Sequence, residues 1–203
     1  MSNCQTSTCQ ARRRMTATAP GVDIHEVAQE FELSDGLSLD AASQQQPVAL
    51  VFMRHFGCTF TRQLLRGLEQ LKEDADRNGS RLVLVHMLKS GQESRYLGSD
   101  PGVSSIADPK CRLYRAFGLG KGGLFELFGP KVWVAGMRAI FQGCGVGRLA
   151  GNGLQMPGAF VFHQGEIIAA QRARTAADLP DLPRLFEGLS LPLASEDVSL
   201  PAS

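Results

Sequence analysis

One thiol stands at the junction of a strand-like run and a helix-like run. Pro47-Val48-Ala49-Leu50-Val51-Phe52-Met53 is almost unbroken apolar sequence, and Leu64, Leu65, Leu68 and Leu71 recur at helical spacing within residues 61–78. Cys58 lies between the two. A cysteine placed there faces the first unpaired N–H groups of the helix and the positive end of its dipole. Both favour the thiolate, which is the nucleophilic form. Arg54, His55 and Arg62 are near in sequence and act in the same direction. Two reactions follow from such a thiolate. Attack on a peroxide oxygen gives sulfenic acid, and attack on a disulfide sulfur gives a mixed disulfide. The competing reading is a structural cysteine packed in the core.

Other residues could serve this thiol. His55 titrates near neutral pH and suits a base or proton shuttle, or it is a half-buried strand-end residue. Cys144, in the Gly-rich stretch Gln142-Gly143-Cys144-Gly145, and Cys111 are candidate resolving thiols, Cys111 being the one expected to pack inside a helix. No phosphate loop, dinucleotide-binding glycine pattern or His/Glu zinc motif is present, so no cofactor or metal is expected.

The elements that must position Cys58 follow from periodicity. The chain reads as a short helix over 23–31, a small hairpin around Asp35-Gly36, a strand over 47–54 and a helix over 59–78 ending at Asn78-Gly79. A second buried strand is expected over 81–88, a weak helix over 91–98 and a short strand over 103–107. Asp108-Pro109 then caps a helix running to Phe117. Strands over 158–162 and 166–170 flank His163-Gln164-Gly165 as a hairpin, and a last helix is expected over 176–189. Alternating strands and helices with nearly all-apolar first strands argue an α/β fold around a largely parallel sheet, made mixed by the antiparallel hairpin. Between Gly118 and Gly153 lies a Gly-rich insertion, where Pro130 starts an amphipathic helix carrying Trp133, Met137, Ile140 and Phe141. That helix covers the core of the insertion, forms an apolar entrance for a lipid hydroperoxide, or presses on a partner subunit as in a homodimer.

Composition sets the outer limits. The 203 residues suit one domain with tails: a leader over 1–22, a domain over 23–189 containing the insertion 118–153, and a tail over 190–203. With 43% apolar residues the chain can bury an ordinary core, and its net charge of +1 does not suggest a nucleic-acid binder. No apolar run approaches the roughly 20 residues of a membrane span. Five cysteines show neither a disulfide framework nor a zinc spacing, which fits a reducing compartment, here the cytoplasm. The first twenty residues are Arg-bearing and acid-free, compatible with a disordered tail, a start at Met15 or an organelle transit peptide.

The order of strands and helices, with a cysteine after the first core strand and Met156-Pro157 directly before the hairpin, resembles the thioredoxin fold. Residues 50–63 resemble the peroxiredoxin-like branch of the alkyl hydroperoxide reductase/thiol-specific antioxidant superfamily, including its selenoprotein L and prostamide/prostaglandin F synthase-like groups. Arg54, Gly57, Cys58 and Arg62 match the pattern Arg-x-x-Gly-Cys-x-x-Cys-Arg. Tyr114-Arg115-Ala116-Phe117-Gly118-Leu119 and Gly129-Pro130 extend the resemblance to about residues 25–189. The resemblance implies a thiol peroxidase with Cys58 as nucleophile and Pro157 as a cis-proline facing it. Arg54, Arg62 and Arg172 would hold the thiolate and polarise a hydroperoxide, and a thioredoxin- or glutathione-type thiol would act as reductant. Two positions depart from the pattern. Thr61 stands where a second cysteine is common, and either donates to the Cys58 thiolate or satisfies first-turn backbone groups. His55 stands where peroxiredoxins carry a threonine. A monothiol disulfide-exchange protein and a non-catalytic binding domain remain as alternatives.

Overall fold

The structure, a computed structural model, describes residues 23–97, 102–121, 129–130, 132, 134, 137–138 and 154–189. The expectations for the leader, the tail, Trp133 and Cys144 lie outside these residues.

Five strands form one sheet: β1 (Val48–Phe52), β2 (Arg81–His86), β3 (Ser104–Ala107), β4 (Gly158–His163) and β5 (Glu166–Arg172). Their order is β3-β2-β1-β4-β5. The first three are parallel, β4 pairs antiparallel with β1 and β5 antiparallel with β4, and Leu50 of β1 is opposite both Val83 and Phe160. β1 is central and buried along its whole length, which is why its sequence is a continuous apolar run and not an alternating one.

Helices cover both faces. Val48, Leu50 and Phe52 face α1 (Ile24–Gln29), α2 (Leu39–Gln45) and α3 (Arg112–Ala116). The Phe52 ring meets those of Tyr114, Phe117 and Phe160 at centroid distances of 4.9, 5.0 and 5.4 Å. Ala49, Val51 and Met53 face α4 (Thr59–Arg66), α5 (Leu68–Arg77) and α6 (Leu182–Phe186). A one-turn helix, Ser94–Leu97, follows β2.

The differences from the sequence expectations have local causes. The helix expected over 59–78 is two helices divided at Gly67, a residue with poor helix propensity. The hairpin expected over 31–39 is a turn with one bridge, Glu32 to Ser38, and Ser38 then caps α2 by accepting from Ala41 N–H. The helix expected over 176–189 begins only at Leu182. Asp178 gathers the N–H groups of Arg174 and Thr175 into a turn, and Pro180 disfavours the helical region for Leu179. Asp108 does cap its helix: its carboxylate accepts from the N–H groups of Arg112, Leu113 and Tyr114. Burial pushes the Asp108 carboxyl above its ordinary range, against the pull of those three donors.

Candidate active site

The site grows from the end of β1. Tyr114, fully buried on α3, holds its hydroxyl 2.6 Å from Met53 O and 2.9 Å from Val85 O, so one proton is shared between two strand ends. Burial raises the Tyr114 phenol well above its ordinary value, so it remains a donor. The chain then turns: the N–H of Cys58 donates to His55 O at 2.9 Å, and Phe56 is buried against Tyr96, stacked at 4.5 Å.

Cys58 is the N-cap residue of α4 and is extended, with φ −76° and ψ 132°. Its carbonyl accepts the first helical bond, from Arg62 N–H at 3.2 Å, while its side chain caps nothing. The turn brings Arg54 onto the sulfur: Nη1 donates to Cys58 Sγ at 3.2 Å, and Nε donates to Gln155 O at 3.3 Å. Arg54 is itself buried, at 8% exposure, so this cation is held in place and is not a solvated surface charge. Around the thiol, Phe60, Met156, Ala176 and Val132 make a separate apolar cluster. Val132 belongs to the insertion, which therefore reaches the site.

Gln155 has no counterpart in the sequence reading. It is buried, and its Nε2 donates to Leu119 O at 3.1 Å and Gly120 O at 3.0 Å, while its own carbonyl receives Arg54. It thus ties the chain after α3 to the segment that anchors the arginine. The available signal was its place two residues before Pro157, at the entry to β4.

The remaining expected residues divide. Thr61 is buried and its Oγ1 has no hydrogen-bond partner among the described residues. It therefore makes neither the bond to Cys58 nor the backbone bond anticipated for it. Buried His55 likewise has an unpartnered Nδ1; burial, then the Arg54 charge, lowers its pKa and keeps it neutral near pH 7. Pro157 lines the same cavity as Arg54 and Thr61. Its peptide bond is trans, not cis as expected, the form an X–Pro bond intrinsically prefers. Arg62 is exposed on α4. Arg172 lines the cavity too, donates to Phe117 O at 3.1 Å and lies over the Phe160 ring at 5.2 Å; burial lowers its pKa. Cys58 and Cys111 are both free. Cys111 packs with α3 in the cluster on one face of the sheet, apart from the Cys58 cluster, and burial followed by the Asp108 charge raises its thiol pKa.

Among the described residues no group of His, Cys, Asp and Glu is placed to hold a metal, and no helix is long and apolar enough to cross a membrane.

The arrangement is a buried thiol with a fixed guanidinium donor, at a helix start, beside a cavity. Comparison with known proteins identifies the family. The family model described as AhpC/TSA antioxidant enzyme matches residues 67–175. No curated protein sequence matches the chain significantly. Among solved structures, the bacterioferritin comigratory protein of Xanthomonas campestris, described for its alkyl peroxide reduction activity, is 15% identical, with a TM-score of 0.49 over 73% of this chain and 83% of that one. The peroxidoxin BcpB of Mycobacterium tuberculosis is 14% identical, with a TM-score of 0.46 over 73% and 82%. A putative thiol:disulfide interchange protein DsbE of Chlorobium tepidum is 19% identical, with a TM-score of 0.44 over 70% and 77%.

Proposed function

The chain belongs to the AhpC/TSA antioxidant enzyme family, a thiol-dependent peroxidase by that membership, and we propose that its reaction runs through Cys58. One observation carries this reading: the Arg54 guanidinium donates to Cys58 Sγ at 3.2 Å from a buried, doubly anchored position. In the reaction the thiolate attacks the terminal oxygen of a hydroperoxide. The S–O bond forms as the O–O bond breaks, the sulfur loses two electrons, and the leaving oxygen takes a proton and departs as an alcohol or water. Charge-assisted hydrogen bonds are the strong ones, and Arg54 is fixed where negative charge moves from sulfur to oxygen. Preorganised donors of that kind cost no rearrangement at the moment of reaction.

The other roles follow from this one. The Thr61 hydroxyl, buried and unpaired, is available to a peroxide oxygen or to a sulfenic acid. His55, neutral, would carry a proton. Pro157 shapes the wall of the cavity, and Arg172 adds positive potential to it. Cys58 as sulfenic acid is returned by an external thiol of thioredoxin or glutathione type, or by Cys144, while the packing of Cys111 apart from the Cys58 cluster disfavours that second candidate. We further propose, on the match of Arg54, Gly57, Cys58 and Arg62 to the pattern Arg-x-x-Gly-Cys-x-x-Cys-Arg, a kinship within the family to the selenoprotein L and prostamide/prostaglandin F synthase-like groups, and, separately, a cytoplasmic protein able to form a homodimer.

The test is hydroperoxide consumption with a thiol donor by the wild type and by Cys58→Ser. Loss of turnover in the variant is the expected result, and equal rates would remove Cys58 from the mechanism. A glutathione adduct formed with oxidised glutathione, without any sulfenic acid after peroxide, would favour disulfide exchange instead.

A further inference from the structure

Arg54 donates to Cys58 Sγ through Nη1 at 3.2 Å and to the main-chain carbonyl of Gln155 through Nε at 3.3 Å. Both nitrogens belong to one planar guanidinium. Two acceptors on that plane fix its rotation as well as its place. The direction of the Nη1 donation therefore depends on where the Gln155 carbonyl stands. Every residue type carries such a carbonyl, and what is particular to Gln155 is the side chain that holds this one still.

Gln155 is 2% exposed. Its Nε2 donates to Leu119 O at 3.1 Å and to Gly120 O at 3.0 Å, which occupies both amide N–H groups. The main chain repeats the tie to Gly120, whose carbonyl also accepts from Met156 N–H at 3.2 Å, and Lys121 and Gln155 form an antiparallel bridge. The tie to Leu119 reaches further. Leu119 N–H donates to Tyr114 O at 2.8 Å, and the Tyr114 hydroxyl donates to Met53 O at 2.6 Å. Met53 is the chain neighbour of Arg54. Met53, Tyr114, Leu119, Gln155 and Arg54 thus form a closed circuit of hydrogen bonds, and the Gln155 side chain is the link that closes it.

We infer that Gln155 is a positioning residue for the reaction at Cys58: its side-chain amide fixes its own carbonyl, and that carbonyl aims Arg54 at the sulfur. The inference rests on the peroxidase reading. A glutamine that only joined the two ends of the insertion would leave the reactivity of Cys58 in the folded protein untouched.

The experiment is a double-mutant cycle on the wild type, Gln155→Met, Arg54→Ala and the double variant, with urea midpoints to confirm that each is folded. Methionine fills nearly the same volume and donates nothing. The first readout is the second-order rate of Cys58 oxidation by hydrogen peroxide, with the sulfenic acid trapped by dimedone and read by peptide mass. Gln155→Met should slow it roughly two- to tenfold, the scale of one hydrogen bond. In the Arg54→Ala background the same substitution should change the rate by less than about twofold, because no guanidinium is left to aim. The second readout is the pH profile of Cys58 alkylation by iodoacetamide, which needs the thiolate and no peroxide chemistry. Its acid limb should move to higher pH in Gln155→Met, toward its place in Arg54→Ala, because a cation held less firmly favours the thiolate less. If Gln155→Met does not fold, Gln155→Asn, which keeps the amide and withdraws it by one methylene, takes its place in the cycle. Single effects that multiply in the double variant, or a folded Gln155 variant with wild-type rate and profile, would overturn the inference. A wild-type Cys58 that stays reduced under peroxide would overturn the peroxidase reading itself, and the alkylation profiles would still report whether Gln155 acts on the thiol.

Discussion

Arg54→Ala removes the guanidinium that the structure places on Cys58 Sγ. The variant loses the 3.2 Å donation to the sulfur and the 3.3 Å donation to Gln155 O. Hydrogen bonds to charged groups contribute about 1.5–3 kcal/mol. If the bond to sulfur and its transferring oxygen is worth that in the transition state, the rate constant for peroxide falls roughly 10- to 200-fold, at about 1.4 kcal/mol per decade. The second lost bond leaves the Gln155 carbonyl without this partner, at a cost to stability of about 1–3 kcal/mol. Arg54→Lys should fall between, because an ammonium keeps the charge but lacks the fork that spans both acceptors. The assay is the second-order rate of Cys58 oxidation by hydrogen peroxide under single-turnover conditions, with urea unfolding run alongside to separate loss of fold from loss of chemistry. An Arg54→Ala protein that remains folded and reacts within twofold of the wild type would refute the assignment of Arg54 to the reacting sulfur.

Thr61→Val should leave stability unchanged or raise it by about 1 kcal/mol, since the buried hydroxyl it removes is unpaired; a fall in peroxide rate in the same variant shows that the hydroxyl serves the bound substrate. Tyr114→Phe should destabilise the fold by about 1–3 kcal/mol in urea titration, because Met53 O and Val85 O lose a shared buried donor. Acidification below about pH 6.5 should lower stability. His86 is fully buried 4.0 Å from Glu93, and burial lowers the pKa values of both His86 and His55. The unfolded chain therefore takes up protons first, and the stabilisation present above the unfolded pKa is lost as pH falls through the folded one. Each histidine contributes a slope of up to about 1.4 kcal/mol per pH unit in that window. His86→Leu should flatten the slope, as followed by urea midpoints at several pH values, although the raised pKa of Asp108 adds an opposite trend at lower pH.

The parts of the molecule legible in the sequence are those fixed by local rules. The β1 run and the Asp108 cap express one-dimensional periodicity or capping chemistry, and the structure places each where its pattern puts it; the Leu64 to Leu71 spacing marks the core-facing side correctly but runs across two helices divided at Gly67. Cys58 was legible for the same reason, as a helix-start residue. Partners were not. Arg54 is recognisable as a cation near a thiol, but its second anchor is the carbonyl of Gln155, 101 residues away, and no local pattern encodes that meeting. The position of Thr61 in the first turn offers two alternative hydrogen bonds, to the Cys58 thiolate or to the backbone, and tertiary packing supplies neither. The last helix was read too long because a 3.6-residue spacing says nothing of Asp178, whose side chain competes for the backbone N–H groups of Arg174 and Thr175. Position 157 was legible as a wall of the site, but the isomer of its peptide bond was not.

The central claim is that Cys58 is the atom that reduces peroxide. Its most direct measurement is hydroperoxide consumption at fixed dithiol concentration by the wild type and by Cys58→Ser, with the mass of each protein read after one equivalent of peroxide. The wild type should turn over and gain one dimedone adduct at Cys58, while the variant should neither turn over nor gain the adduct. A Cys58→Ser protein that consumes hydroperoxide at the wild-type rate would contradict the account.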